Sequence, residues 1–147
     1  MAKSYNLGDD YKLYYDTVAS WANPTYAEIK ACGDLAVDPG ISDVEIPERG
    51  ISTGHLQGKG DPSITFTLYE DTGDANVTAL IAAIHSGAKV HLAVARGTGT
   101  NGWHMECCLV GAPFSATRGE PAGYEVEAKR HANSDYDFTR ELAMIIP

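Results

Sequence analysis

The sequence predicts a mainly β fold: two packed antiparallel sheets, sandwich- or barrel-like, flanked by one α-helix near residues 74–86, with a long loop at 47–62. Short runs of alternating apolar and polar residues recur along the chain, separated by glycine, proline and asparagine turns. A single segment, residues 71–87 (DTGDANVTALIAAIHSG), carries helical periodicity. A lone amphipathic helix has to bury its apolar stripe on something, and the rest of the chain offers only sheet.

Residues 11–15 (YKLYY) alternate around Tyr11, Leu13 and Tyr15 and read as a first strand, and Asn23-Pro24 marks a turn. Residues 26–31 (YAEIKA) resume as strand, ended by Gly33-Asp34 and then Asp38-Pro39-Gly40. Residues 42–46 (SDVEI) set Val44 and Ile46 against Asp43 and Glu45. The stretch 47–62 (PERGISTGHLQGKGDP) is too long for a tight hairpin. Long loops in compact domains are either uninvolved excursions or arms that order against a neighbour. Ser63–Tyr69 is the cleanest strand, with Ile64, Phe66 and Leu68 on one face.

In the helix, Val77, Leu80, Ile81 and Ile84 stand at i, i+3, i+4 and i+7 and form the core stripe. Asp74 is placed as its N-cap, Asp71 adds negative charge at the positive end, and Gly87 is placed to end it. Strands follow at 89–95 (KVHLAVA) and 103–110 (WHMECCLV). Trp103, Met105, Cys107 and Leu109 are expected inward there, with His104, Glu106 and Cys108 opposite. A strand at 124–129 (YEVEAK) follows the turn GEPAG, and 138–147 (FTRELAMIIP) reads as a last strand.

A chain of 147 residues is most simply one domain, able to bury about two-thirds of its unfolded surface. No apolar run approaches the roughly 20 residues of a membrane span, and the first ten residues hold no signal-peptide core, so neither membrane nor secretion is expected. The net charge of −9 argues against affinity for phosphate backbones or anionic lipid. Cys32, Cys107 and Cys108 are an odd count. The adjacent pair points to opposite faces of a strand, so reduced thiols are expected.

The histidines fail a metal or catalytic reading on spacing: there is no Cys-x-x-Cys and no His-Glu-x-x-His. His104 and Cys107 fall on opposite strand faces, useless for a nucleophile and its base. His104, Glu106 and Cys108 share a face and leave a weak zinc or thiol site open, against an interface-lining or solvated sheet face. The glycines of RGTGTNG lead into a strand and not a helix, so they form a hairpin turn and not a phosphate loop. Glu125 and Glu127 lie at i, i+2 on one face and read as solvated charges. No enzyme activity, metal or cofactor is expected.

Over most of the chain, from about residue 26 to the end with Trp21 just ahead of it, the order and spacing of several pieces resemble the tail tube proteins of long-tailed bacteriophages. Trp21 and Glu28-Ile29 come first, then Asp43-Val44-Glu45-Ile46, a Gly-rich loop, and the strand Ser63-Ile64-Thr65-Phe66-Thr67-Leu68. Asp71-Thr72-Gly73-Asp74 then opens the helix, which leads into Val90-His91-Leu92-Ala93-Val94. Pro113-Phe114-Ser115 and Glu120-Pro121 precede Tyr124-Glu125-Val126-Glu127-Ala128. The segment 138–147 runs beyond the family pattern.

The resemblance implies a structural subunit that joins into six-membered rings, whose sheets continue into one barrel around a channel. The rings then stack into a tube for DNA passage. Its partners would be copies of itself, other tail proteins, and DNA that slides through without specific binding. Its place would be the virion tail, assembled in the host cytoplasm. An inner tube of a type VI-like or extracellular contractile injection system fits the same resemblance, and a monomeric β-sandwich binding module is the rival outside it. On the tube reading, Arg49, Ile51, His55, Leu56 and Lys59 form an inter-ring docking loop. Glu28, Asp43, Glu45, Glu106, Glu125 and Glu127 line the lumen, where acidity keeps phosphates from sticking.

Overall fold

The computed structural model describes residues 8–18, 21–46, 50, 54–57, 60–97, 101–134, 136 and 138–141. After a short 3-10 helix at Gly8–Asp10, the strands run in chain order as β1 (Lys12–Asp16), β2 (Tyr26–Glu28), β3 (Cys32–Asp38), β4 (Asp43–Ile46), β5 (Gly54–Gln57) and β6 (Ser63–Tyr69). Helix α1 (Ala75–Ser86) follows, then β7 (Val90–Ala95), β8 (Gly102–Val110), β9 (Phe114–Ser115), β10 (Gly123–Arg130) and β11 (Thr139–Glu141). Among the described residues the fold is mainly β with one α-helix. Its two sheets are unequal: nine strands pair antiparallel in the order β2-β1-β7-β8-β10-β6-β3, with β11 beside β8 and β9 beside β10, while β4 and β5 form a separate hairpin.

The two ends of the large sheet, β2 and β3, are consecutive in the chain. Ile29 still donates its N–H to the Leu13 carbonyl beside β2 (2.9 Å), and two residues on the Ala31 carbonyl accepts from Tyr69 N–H beside β6 (2.9 Å). The sheet therefore curls until its ends meet at residues 29–31, without closing the hydrogen-bond ladder into a barrel. Inside the curl lie the residues that alternation places inward: Ile64, Phe66 and Leu68 from β6, Leu92 and Val94 from β7, Met105, Cys107 and Leu109 from β8, and Val126 and Ala128 from β10. Among the described residues, none of this buried core comes from the β4–β5 hairpin.

Helix α1 packs its stripe against that core. Val77 and Leu80 are fully buried, Ala83 is buried with them, and Ile81 and Ile84 are half-buried against the same cluster. The ends are set locally. The Asp74 carboxylate accepts from Asn76 N–H at 2.9 Å, and Gly87, at φ 70°, donates to the Ala83 carbonyl at 2.9 Å.

Two departures from the sequence reading concern the segment 32–62. Gly33-Asp34, read as a turn, lies within β3. There the register with β6 shifts between Cys32 and Leu35, so the turn chemistry makes an irregularity inside a strand. The loop 47–62 contains β5, which pairs with β4 in the register Asp43↔Gln57 to Ile46↔Gly54. At the hairpin's base, Asp61 N–H donates to the Gly40 carbonyl at 3.0 Å. Gly40 is required there: its φ is 63°, and a Cβ would stand 2.0 Å from the Asp61 carbonyl oxygen.

Candidate assembly surfaces

Three surfaces carry the polar residues of interest. The first is the outward face of β3, β6 and β10. Glu125 stands opposite Thr67, Glu127 opposite Thr65, and Thr65 opposite Ala36 on its other side. With Asp34 these side chains line an open groove of about 360 Å³. Lys129 partly offsets its acidity, reaching Glu127 at 3.4 Å and Asp61 at 3.1 Å; the hydrogen bonds it donates to Asp61 and Glu127 raise the lysine's pKa.

The second is the β4–β5 hairpin, which has two unlike faces. Val44 and Leu56 are a cross-strand pair, 45% and 59% exposed. Asp43, Glu45 and His55 occupy the other face, with His55 Nδ1 at 3.0 Å from both Asp43 carboxylate oxygens.

The third is internal. The outer face of β7 and β8 carries His91 and His104, which alternation leaves off the core, yet both are buried together with Asp16 of β1. His91 Nδ1 lies 3.0 Å from Asp16 Oδ2, and its Nε2 lies 2.9 Å from His104 Nδ1 and 3.2 Å from the Tyr26 hydroxyl. A carboxylate facing Nδ1 keeps the proton on that nitrogen. His91 Nδ1 therefore donates to Asp16, while its Nε2 faces both His104 Nδ1 and the Tyr26 hydroxyl. The Asp16 carboxylate also accepts, at Oδ1, the backbone N–H groups of Val18 and Thr25, both at 3.0 Å. Trp21 stacks on both imidazoles, with ring centroids 4.8 and 4.2 Å away, and Tyr136 stacks on Trp21 at 4.6 Å. Burial, and secondly the neighbouring His91, lower the His104 pKa from 6.5 to about 4. This network anchors the segment after β1 and the segment before β11 to the middle of the sheet.

Comparison with known proteins identifies the architecture. No protein-family model matches the sequence, and no curated protein matches it significantly. Solved structures do match. The tail of an empty gene transfer agent particle, treated by helical refinement with C6 symmetry, superposes with a TM-score of 0.70 at 14% identity, covering 95% of this chain and 100% of that one. The SPP1 tail tube gives 0.71 at 13% identity, over 95% and 80% of the two chains. The tube-terminating cap of the anti-feeding prophage gives 0.61 at 13% identity, over 97% and 95%. The chain has the tail tube fold.

Within this tail tube fold the residues singled out from sequence separate. Glu125 and Glu127 face the open groove. Glu28 lies at the end of the large sheet on β2, its carboxylate 3.8 Å from Lys12 Nζ. Asp43 and Glu45, grouped with the lumen, and His55, grouped with docking, share one hairpin face, so they belong to one surface. Leu56 lies on the opposite face; Arg49, Ile51 and Lys59 lie outside the described residues.

Glu106 requires correction. It is only 6% exposed, accepts from Ser134 Oγ at 2.8 Å, and lies 3.3 Å from Lys89 Nζ, because the turn after β10 folds over it. A carboxylate sealed beneath that turn does not line a channel. The zinc or thiol grouping of His104, Glu106 and Cys108 also disperses. His104 turns to His91, Glu106 to Ser134, and the Cys108 thiol to the Lys129 carbonyl at 3.7 Å. Burial pushes the Cys107 thiol well up and that of Cys32 up to about 11, so neither is an activated nucleophile. Sequence reading missed the Asp16–His91–His104 network. Its one legible trace was a pair of histidines at non-core positions of adjacent strands.

Proposed function

We propose that this protein is the structural subunit of a phage-type tail tube, assembling as stacked six-membered rings around a channel for DNA passage. The observation that carries the reading is the match along essentially the whole chain to tail structures, the gene transfer agent tail with its C6 symmetry among them. The sheet supports it: among the described residues, β2 and β3 each have one edge without a strand partner in the large sheet, the feature that strand addition from a neighbour satisfies. In this reading the rings close through heterologous contacts and stack through the β4–β5 hairpin, whose Val44–Leu56 pair supplies the apolar contact. The groove lined by Asp34, Glu125 and Glu127 is the lumen surface, and repels phosphates. Other tail proteins cap the tube, and its place is the virion tail.

A tube of an extracellular contractile injection system is the second reading, favoured by the matches to the anti-feeding prophage cap at 0.61 and the PVC sheath–tube complex at 0.54. Negative-stain microscopy of the purified protein tests the shared core of both. Rings or tubes with six-fold end views are expected. A protein that stays monomeric at high concentration, with or without a tail-tip initiator, would overturn the proposal.

A further inference from the structure

The polar face of the β4–β5 hairpin has the make-up of a metal site. Glu45 stands directly across from His55, and Asp43 precedes Glu45 by two residues on the same face. One ligand atom from each lies within 4.8 Å of the other two. Bonds of about 2.0–2.2 Å to a tetrahedral ion set ligand atoms roughly 3.3–3.6 Å apart, so these three have to draw somewhat closer to bond one ion. All three are exposed, which leaves an open path for an ion. Among the described residues the ion-pair partner of Asp43 is His55 at 3.0 Å, so two carboxylates face one imidazole. An imidazole nitrogen with two carboxylate oxygens suits zinc, cobalt or nickel better than magnesium or calcium, which prefer all-oxygen shells.

We infer that Asp43, Glu45 and His55 bind one divalent transition-metal ion. The ion takes the place of the proton between His55 Nδ1 and Asp43, the proton passing to solvent, and keeps open coordination positions for water. Because its ligands come from both strands, it staples β4 to β5. Where the hairpin stacks rings, a consequence that rests on the proposed function, the ion orders that arm before docking and lowers the ordering cost of binding.

Isothermal titration of the full chain with zinc, and optical titration with cobalt, test the site. One ion per chain is expected, with a cobalt spectrum free of the thiolate charge-transfer band that Cys32 or Cys108 would produce. His55→Ala should abolish binding. Asp43→Asn and Glu45→Gln should each weaken it at least about tenfold, since loss of a mere second-sphere partner already costs about 10–100-fold. His131→Ala should leave it unchanged, and the exposed positions keep the variants folded by circular dichroism. Absence of binding by the native chain, undiminished binding by His55→Ala, or a thiolate band would each overturn the site. None of those results touches the tube reading, since tubes in the microscope do not depend on them.

Discussion

At the scale of single residues, the histidine pair decides how this fold responds to acid. His104 has its pKa lowered to about 4 in the folded chain from 6.5, so between those values the unfolded chain binds a proton that the folded chain refuses. Stability contributed by neutral His104 is therefore fully present above about pH 6.5 and is lost as pH falls toward about 4. Its full size is on the order of 3 kcal/mol. The groups facing it are His91, Trp21 and, through His91, Asp16 and Tyr26. Melting temperatures measured between pH 7 and pH 4 should fall steeply for the native chain and less so for His104→Gln. Equal slopes would remove His104 as the acid-sensitive group. Sequence reading sorted residues of β8 by alternation and was right about Met105, Cys107 and Leu109. It placed His104 and Glu106 in the open because alternation says which side of a strand a residue takes, not what lies over that side. Trp21, Tyr136 and Ser134 come from distant stretches of chain and cover them.

At the scale of elements, legibility follows how local the determinants are. Helix α1 is encoded within its own span: a capping aspartate, an apolar stripe and a terminal glycine suffice to place its ends. Strand β3 was not legible because Gly33-Asp34 carries turn chemistry, and only its pairing with β6 makes it strand. The hairpin was half legible. Val44 and Ile46 alternate plainly, whereas GHLQ offers one apolar residue amid glycines and becomes strand by pairing with β4. On the proposed function, its exposed Val44–Leu56 pair bears on stacking. Val44→Thr with Leu56→Thr, opposite each other in the hairpin, should alter the stability of the unassembled chain by no more than about 1 kcal/mol, about 0.5 for each exposed site, and should stop growth beyond single rings. Sedimentation and microscopy read both effects. Long tubes from the double variant would take the docking role away from the hairpin.

At the scale of the whole molecule, charge and curvature belong together. The curl buries one sheet face against the core and α1. The outward face of β7 and β8 is covered by Trp21 and Tyr26, so the outward face of β3, β6 and β10 is left as open acidic sheet. Replacing Glu125 and Glu127 by lysine should leave tube assembly intact, because neither side chain enters the core. On the proposed function, it should slow DNA passage by turning a repelling wall into an attracting one. Genome delivery at the native rate by particles carrying both substitutions would exclude that face from the lumen.

Local pattern in the sequence suffices for the class of fold, the inward faces of β6, β7 and β10, and the whole of the helix. Each rests on period, propensity and capping within a few residues of its own position. Tertiary structure alone decided that the large sheet curls until β2 meets β3, that a buried histidine pair lies beneath Trp21, that Glu106 is enclosed, and that Asp43, Glu45 and His55 share a face. Those are contacts between residues far apart in the chain. Their formation depends on how the packed sheet closes, which no local pattern specifies.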